Sequence, residues 1–265
     1  MAWAVEAGVA VTLVTCSLGE LGEVIPDEHK HLEGSADLAV HRAAELDAAC
    51  AALGVTDHRL LGGRGRWHDS GMASAGRGIL AVAPAHLGEA AFARRADVDL
   101  QVAELVEILT EVEPDVVVSY DAGGGYGHPD HVRAHEIAGG AVERVDPLGE
   151  RIGLWATAAA RGEVEAGLEV LRHRAWLPVP VPSVDDLPTV PDDTVTVRVA
   201  LGPARVRKLA ALRAHATQIR VFDDGHEPPA YALSNDLAQP VLGAEHFVLL
   251  RGPLQAPAAL EVLSA

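Results

Sequence analysis

Positive charge is scarce in this sequence, and lysine is nearly absent. The 265 residues include 21 lysines and arginines against 38 aspartates and glutamates, which gives a formal net charge of −17 with histidine neutral. Lys30 and Lys208 are the only lysines. Binding to nucleic-acid phosphates or to anionic lipid requires clustered positive charge. We therefore expect neither a nucleic acid nor a membrane surface among the partners.

Long apolar runs and paired cysteines are also missing. No segment reaches the roughly 18 consecutive apolar residues that span a bilayer, and the N-terminus has no basic stretch followed by an apolar one. Cys16 and Cys50 are the only cysteines, which excludes a disulfide framework. Hydrophobic residues make up 49% of the chain and charged residues 22%, as is typical of a globular protein. These features predict a globular protein of the cytoplasm.

Strand-like and helix-like segments alternate along the first half of the chain. Residues 9–16 and 116–120 are β-branched runs, typical of strands that are covered on both faces. Apolar residues recur at helical spacing over residues 36–53 and 98–113. The alternation predicts an α/β protein, a Rossmann-like layered fold with a mostly parallel sheet flanked by helices.

The pattern is weaker beyond residue 142. A proline-rich stretch over residues 177–191 is predicted to be a surface excursion, and residues 195–201 alternate as in an edge strand. A helix is predicted over residues 201–218 and a last strand over 247–250. We interpret this half as an α+β elaboration of a single domain that spans residues 1–265.

The densest group of chemically useful side chains follows the strand at residues 116–120. The run YGHPDH, residues 126–131, comes directly after three glycines. Pro129 suits the first turn of a helix, which would put His128 at the helix cap and His131 in the first turn. Ligands of open α/β sheets bind at the carboxyl ends of strands. We therefore expect a site here.

Imidazole pairs of this kind suggest a metal. A catalytic zinc takes three protein ligands and one open position, whereas His128 and His131 supply at most two. His135 would share a helix face with His131, but a surface histidine is the simpler interpretation, and all three could be polar helix residues without a chemical role. Asp130 is placed to hold a ring nitrogen and fix its tautomer. A phosphate-binding or dinucleotide-binding loop is excluded, because the required lysine and glycine spacing do not follow the glycines.

Five segments together resemble a known family. They are VTLVTCSLGELGEVIPDE (residues 11–28), RGRWHDSGM (64–72), VVVSYDAGGGYGHPDHVRAH (116–135), KLAALRAHATQ (208–218) and ALSNDLAQPVLGAEHFVL (232–249). They are similar to the LmbE-like (PIG-L-type) zinc-dependent N-deacetylases, and in particular to the actinobacterial members that make glucosaminyl-inositol for mycothiol. The resemblance implies a Rossmann-like fold, one zinc ion per subunit and a small amino-sugar inositol substrate that loses its acetyl group.

The resemblance also implies roles for four residues of the YGHPDH run. His131 would be a zinc ligand. His128 would polarise the amide carbonyl or protonate the leaving amine, with Asp130 orienting its ring. Tyr126 would donate a hydrogen bond beside the oxyanion.

Three further residues match family positions that contact sugar or inositol hydroxyls: Glu23, Arg42 and Asp69. From their sequence context alone, each has a simpler interpretation. Glu23 would be a solvated loop charge, Arg42 a surface helix residue and Asp69 a turn former.

One family motif has no counterpart in this sequence. Members of the family end their first strand in A-H-P-D-D-E, which supplies a histidine and an aspartate to the metal and another aspartate as general base. The sequence here opens with MAWAVEAG, residues 1–8, which is similar to the end of the helix after that motif. We expect Met1 to be an internal methionine of a longer reading frame, with the remaining zinc ligands in the preceding segment. The alternative is a truncated, metal-free remnant that lacks the first strand.

Two other functions stay open at this point. A mycothiol S-conjugate amidase would share the fold and the metal, although Gly127 before His128 favours the deacetylase. A sugar-binding protein without a metal would keep the pocket and lose the chemistry.

Overall fold

The computed structural model describes residues 1–74 and 81–253 of the chain. These ranges contain seven α-helices: α1 (Ala2–Glu6), α2 (Asp37–Leu53), α3 (Val98–Val112), α4 (Gly124–Gly127), α5 (Pro129–Val145), α6 (Arg161–Arg172) and α7 (Arg205–Ala214). They also contain eleven strands: β1 (Thr12–Thr15), β2 (Asp57–Leu60), β3 (Ala73–Ser74), β4 (Ala81–Val82), β5 (Val116–Ser119), β6 (Gly153–Ala158), β7 (Val197–Ala200), β8 (Arg220–Phe222), β9 (Ala230–Ala232), β10 (Gln239–Pro240) and β11 (Ala244–Arg251).

The two predicted N-terminal helices are confirmed as α2 and α3. Helix α2 ends where Gly54 adopts the left-handed conformation at φ +79°, and its N–H bonds back to the helix. Helix α3 ends at Glu113, also left-handed, directly before Pro114. A proline disfavours helical geometry in the residue before it, so the end of α3 is encoded locally.

The strands form several sheets of mixed direction. The largest has the order β5-β6-β11-β7, in which β5 and β6 are parallel and β11 is antiparallel to both of its neighbours. Strands β1 and β2 form a separate parallel pair, and β8, β9 and β10 form an antiparallel sheet. The α/β class is confirmed, but the described sheets are not mostly parallel, because the chain returns through β11 between β6 and β7. The absence of a first strand stays a prediction.

The main hydrophobic core lies where α3 and α5 pack together over β5 and β6. Its buried members include Phe92, Val102, Ile137, Val142 and Ile152, the last of which directly precedes β6. Leu61 after β2 and the partly buried Val14 of β1 contact the same cluster. This shared core holds the start of α5 beside the carboxyl end of β5.

The C-terminal half differs from its prediction in two places. The proline-rich stretch is not a surface excursion, because Val179, Val184 and Leu187 are buried in clusters that also contain residues of α6. The helix predicted over residues 201–218 is shorter, since a 3-10 turn at Gly202–Ala204 precedes α7 and His215 ends it.

None of the helices in residues 1–74 and 81–253 is long and apolar enough to cross a membrane.

Candidate active site

The YGHPDH run lies where β5 ends and α5 begins. Helix α4 is a single turn broken at Gly125, whose backbone angles (φ 68°, ψ −93°) are not helical. Gly127 follows at φ +93°, and a β-carbon there would come within 2.5 Å of the carbonyl oxygen of Ala81 in β4. Only glycine meets both conditions. The glycines therefore let the chain turn sharply and pass in close contact with β4 just before His128.

His128 caps the N-terminus of α5 with its ring. Its Nδ1 accepts a hydrogen bond from the backbone N–H of Asp130 at 3.2 Å. An Nδ1 that accepts a hydrogen bond carries no proton, so in the neutral ring Nε2 is the protonated atom. That Nε2 lies 3.8 Å from Oδ1 of Asp69. Burial lowers the pKa of His128, and the Asp69 carboxylate only partly opposes this, so the ring is a neutral Nε2–H donor.

Asp69 lies beside His128, as the family resemblance implies for a residue of the site. Its carboxylate accepts backbone N–H groups from Leu21 at 3.3 Å and Gly71 at 2.9 Å. Its own backbone N–H donates to the Glu20 carboxylate at 2.9 Å. These bonds join the loop after β1 to the loop before β3 and hold the Asp69 carboxylate against the ring of His128.

Asp130 orients His128 through its backbone rather than through its carboxylate. The carboxylate Oδ2 accepts the backbone N–H of Ser70 at 3.1 Å, while Oδ1 is buried and has no partner among the described residues. Burial is the main reason that the pKa of Asp130 is raised to about 6. Asp130 thus holds Ser70 with its side chain and His128 with its main chain.

His131 is held in a single tautomer. Its Nδ1 lies 3.2 Å from the carbonyl oxygen of Gly124, which can only accept, so Nδ1 carries the proton and Nε2 presents a lone pair. The Tyr120 ring stacks on it with 4.0 Å between centroids and 6° between planes. Burial lowers the pKa of His131 to about 4. The ring is a neutral imidazole with an unprotonated Nε2, the form in which histidine binds a metal.

Tyr126 packs at the edge of both histidines. Its ring centroid lies 6.0 Å from that of His128 and 5.1 Å from that of His131. Burial raises its pKa to about 12, so the phenol stays protonated at neutral pH. Tyr126 therefore brings a second neutral donor to the same place.

Arg42 and Glu23 are not part of this cluster. The Arg42 guanidinium is 4% exposed and donates to the backbone carbonyls of Gly19 and of Glu23, the second at 2.9 Å. It also reaches Oγ1 of Thr217 at 3.4 Å. Arg42 is not the surface residue that its sequence context suggests; it holds the loop that carries the exposed Glu23. His135 is half-buried, and its Nδ1 is bonded to the carbonyl oxygen of Tyr120.

Two residues of the site are not predicted from the sequence. Ser70 connects to the Asp130 carboxylate, and Tyr120 stacks on His131. The only sequence signals for them are adjacency to Asp69 and a place at the end of the strand-like run. Such positions are common, so neither signal distinguishes these residues from their neighbours.

The described residues do not complete a metal site. Across residues 1–74 and 81–253, no three histidine, cysteine, aspartate or glutamate side chains converge so as to hold an ion. Zinc in a catalytic site takes three protein ligands, and of the paired histidines His128 and His131 only His131 has the tautomer that presents Nε2 as a lone pair. The donors present in these ranges therefore do not fit zinc by themselves.

Comparison with known proteins identifies the relatives of the chain. A family model described as PIG-L, GlcNAc-PI de-N-acetylase, matches residues 1–142. A protein of Actinosynnema mirum named 1D-myo-inositol 2-acetamido-2-deoxy-alpha-D-glucopyranoside deacetylase is 48% identical over 94% of this chain and 84% of its own length. A protein of the same name from Saccharomonospora viridis is 46% identical over 93% and 86%.

Solved structures show the same fold at much lower identity. A deacetylase of teicoplanin biosynthesis, determined in complex with teicoplanin, has 18% identity and a TM-score of 0.51, covering 94% of this chain and 90% of its own. The A40926 pseudoaglycone deacetylase has 19% identity and a TM-score of 0.50, covering 95% and 90%. The similarity in fold extends over nearly the whole chain. The family itself is shown by the sequence comparisons. This chain belongs to the PIG-L family, the family described as GlcNAc-PI de-N-acetylases.

Proposed function

We propose that this chain is an amide hydrolase that removes the acetyl group from 1D-myo-inositol 2-acetamido-2-deoxy-α-D-glucopyranoside, the step named for its relatives in mycothiol biosynthesis. The observation that carries the proposal is the identity of 48% and 46% to proteins of that name over more than nine-tenths of the chain. The geometry supports it, because His128, Tyr126, Asp69 and Asp130 bring donors and carboxylates together at the end of β5.

His128 and Tyr126 supply the donors that amide hydrolysis requires. Attack on an acetamide carbonyl creates a tetrahedral oxyanion, and a well-placed donor stabilises such a species by roughly 3–4 kcal/mol. The His128 ring is neutral with its proton on Nε2, and the Tyr126 phenol keeps its proton at neutral pH. Both groups act as hydrogen-bond donors that need not lose a proton to do so.

The capping bond favours one of the two roles that the family resemblance implies for His128. Full protonation of the ring would put a proton on Nδ1, which already accepts the N–H of Asp130. Charging the ring would therefore break the cap of α5 as well as bury a charge. We infer that His128 polarises the carbonyl and stabilises the oxyanion rather than carrying a proton to the leaving amine.

A largely apolar cavity with a few polar groups, lined by His68 and Glu20 next to Asp69, suits the polyol part of such a substrate. It has a volume of about 330 Å³, and its walls include Glu20, His68 and Arg64, with Ala36 and Ala39 on the apolar side. His68 is the neighbour of Asp69 in sequence, and Glu20 accepts the Asp69 backbone N–H. Sugar and inositol hydroxyls bind to just such mixtures of carboxylate, imidazole and guanidinium groups. We propose that Asp69, which follows His68 in sequence, also contacts the substrate.

Zinc is the cofactor we propose, with His131 as one of its ligands. His131 has the tautomer and the neutral charge that the role needs. Within residues 1–74 and 81–253 no set of three ligands converges, so the ligand proposed from these ranges is the single imidazole of His131.

Acetate release tests the proposal. The purified protein is incubated with the acetamido substrate, with added zinc and separately with a chelator, and both acetate and the free amine are measured. We expect stoichiometric acetate and amine in the presence of zinc. Cleavage of a mycothiol thiol conjugate without acetate release would instead indicate the S-conjugate amidase. Calorimetric binding of the sugar without hydrolysis in either condition would indicate a metal-free binding protein.

A further inference from the structure

Arg133 is a buried charge that neither the family resemblance nor the proposed chemistry uses. It lies on α5, one turn after Asp130, and is 4% exposed. Its guanidinium donates to the backbone carbonyls of Ala93 at 3.0 Å and Arg94 at 2.9 Å, and to the side-chain oxygen of Gln101 at 2.9 Å. A buried cation is stable only when its donors find partners. Most of those partners are main-chain carbonyl oxygens of the residues before α3.

The segment held by Arg133 leads directly to the site. The backbone N–H of Ala93 donates to Oγ of Ser70 at 2.8 Å. The backbone N–H of Ser70 in turn donates to Oδ2 of Asp130 at 3.1 Å. A hydrogen-bonded circuit therefore runs from α5 through residues 92–94 and Ser70 and back to α5. We call these groups, Arg133, residues 92–94, Ser70 and Asp130, the Arg133 clamp.

The clamp holds Ser70, the residue that follows Asp69, and so limits the position of Asp69. Ser70 is bonded on both sides, at its hydroxyl and at its N–H, and both bonds lead to residues fixed on α5. Asp69 is the preceding residue, and its Oδ1 lies 3.8 Å from Nε2 of His128, the cap of the same helix. The distance between this carboxylate and this ring thus depends on how residues 68–71 are held against α5. Strand-like bonds between His68 and residues 90 and 92 reinforce the same attachment.

Only arginine has the donors for this arrangement. Its planar guanidinium offers five N–H groups in a fixed fork, whereas lysine offers three on one rotating ammonium. The fork here bridges consecutive carbonyls of one segment and also reaches Glu136 through Nε at 2.9 Å. Lysine at this position keeps the charge but has too few directed donors to hold residues 92–94 in one place.

We propose that Arg133 and Ser70 are positioning residues, which act through Asp69 to set its place relative to His128. The proposal rests on the proposed deacetylase function for its effect on rate, and on the circuit alone for its effect on structure. Displacement of a group in an active site by about 1 Å can cost about 100-fold in rate. Because Asp69 faces both His128 and the proposed substrate, we expect loss of the clamp to lower kcat by about 10- to 100-fold and to raise KM by a smaller factor.

Kinetics of single and double variants provide the first test. Arg133→Lys and Ser70→Ala are each expected to lower kcat, and the double variant to be no worse than the poorer single one, because both break the same circuit. Ser70→Thr keeps the hydroxyl and is expected to restore most of the rate. Arg251→Lys is the matched control, since that guanidinium also holds loop carbonyls, those of Asp146 and Pro147, far from His128. Multiplicative losses in the double variant, or an equal loss in Arg251→Lys, would overturn the proposal.

Hydrogen exchange provides a second test that needs no turnover. The amides of Ser70 and Ala93 are both donors in the clamp. Arg133→Lys is expected to speed exchange at both amides at least 10-fold, while Arg251→Lys leaves them unchanged. If Arg133→Lys does not fold, Ser70→Ala is measured at Ala93 alone. If the Ser70 and Ala93 amides both exchange faster in Arg133→Lys but the protein releases no acetate, only the proposed function is contradicted. If exchange at these amides does not change, the clamp is contradicted.

Discussion

The chemistry of His128 is decided by one backbone N–H. Because the Asp130 amide donates to Nδ1, the neutral ring must carry its proton on Nε2, the atom that lies beside Asp69. His131 is held in the opposite tautomer by Gly124, so the two adjacent imidazoles present different atoms to the site. The same residue type therefore serves as a donor at one position and offers a lone pair at the other.

Replacing His128 by alanine is expected to reduce kcat for acetate release by about 100- to 1000-fold, the usual cost of one oxyanion donor. KM should change by less than threefold, because the lost bond strengthens only as the oxyanion forms. Steady-state kinetics on the acetamido substrate provide the measurement. His173→Ala, at an exposed position after α6, is the control and should leave both constants unchanged. A rise in KM with kcat preserved would show that His128 binds the ground state instead.

Asp130→Asn is expected to stabilise the metal-free protein at pH 7 to 8. Burial raises the folded pKa of Asp130 above its ordinary value of 3.8 to about 6, so above pH 6 the folded state holds an ionised carboxylate that it disfavours. That cost shrinks as the pH falls from 6 through 3.8 and is gone only below 3.8, where the carboxyl is protonated in both states. The shift corresponds to at most about 3 kcal/mol at neutral pH.

Urea unfolding in the presence of a chelator measures this difference at several pH values. The advantage of the asparagine variant should shrink to near zero at about pH 3. Asp115→Asn, at an exposed position before β5, should change stability by less than about 0.5 kcal/mol at every pH. A less stable asparagine variant at pH 7 would show that the buried carboxylate is favoured when ionised.

At the scale of elements, the junction of α4 and α5 depends on backbone shape more than on side chains. The chain passes so close to β4 at Gly127 that a β-carbon would overlap a main-chain oxygen. Oxygen of the main chain cannot move aside as a flexible side chain can. Only glycine can therefore occupy position 127 in the turn before His128, because β4 packs directly against it.

A pair of glycine substitutions tests this account. Gly127→Ala is expected to destabilise the protein by about 1–3 kcal/mol, because it combines a positive φ with a clash at 2.5 Å. Gly139→Ala, in the interior of α5 where a β-carbon meets nothing within 4 Å, should stabilise it by about 0.5–1 kcal/mol. Thermal and urea unfolding measure both. Equal effects in the two variants would show that the close approach of β4 is not maintained in solution.

At the scale of the whole molecule, one buried ionic group joins distant parts of the chain. Arg42 and Glu45 lie a turn apart on α2, and both bond to Thr217 after α7. The Glu45 carboxylate accepts the N–H and the hydroxyl of Thr217 at 2.7 and 2.8 Å. Residue 25 also donates its N–H to the carbonyl of Thr217. The group thus ties the loop after β1, helix α2 and the C-terminal half together.

Arg42→Met is expected to destabilise the protein by about 1–3 kcal/mol, because it leaves the partly buried carbonyl oxygens of Gly19 and Glu23 without their donor and removes a positive charge near Glu45. Arg144→Met, which breaks an exposed pair with Asp99, should cost less than about 1 kcal/mol and is the control. Urea unfolding measures the difference. If Arg42→Met instead kept its stability and raised KM alone, Arg42 would contact the substrate, as the family resemblance implies.

Local patterns were sufficient for much of the fold. Helices α2 and α3 and strand β5 are predictable because their signals come from residues within a turn or a strand of one another. The direction of β11 and the burial of the proline-rich stretch are not predictable in this way. Both depend on pairing with segments that are tens of residues distant, as when β11 pairs with β6.

The sequence by itself determined where the candidate site lies, since the YGHPDH run and its glycines are neighbours in the chain. Only the tertiary structure decided which atoms of those residues face each other. It placed the Asp69 carboxylate beside His128, turned the Asp130 carboxylate toward Ser70 and directed Arg42 to main-chain oxygens. The physical reason is that hydrogen bonds are directional over about 3 Å, and these bonds join residues 19 to 175 positions apart, whose orientation depends on how the whole core packs.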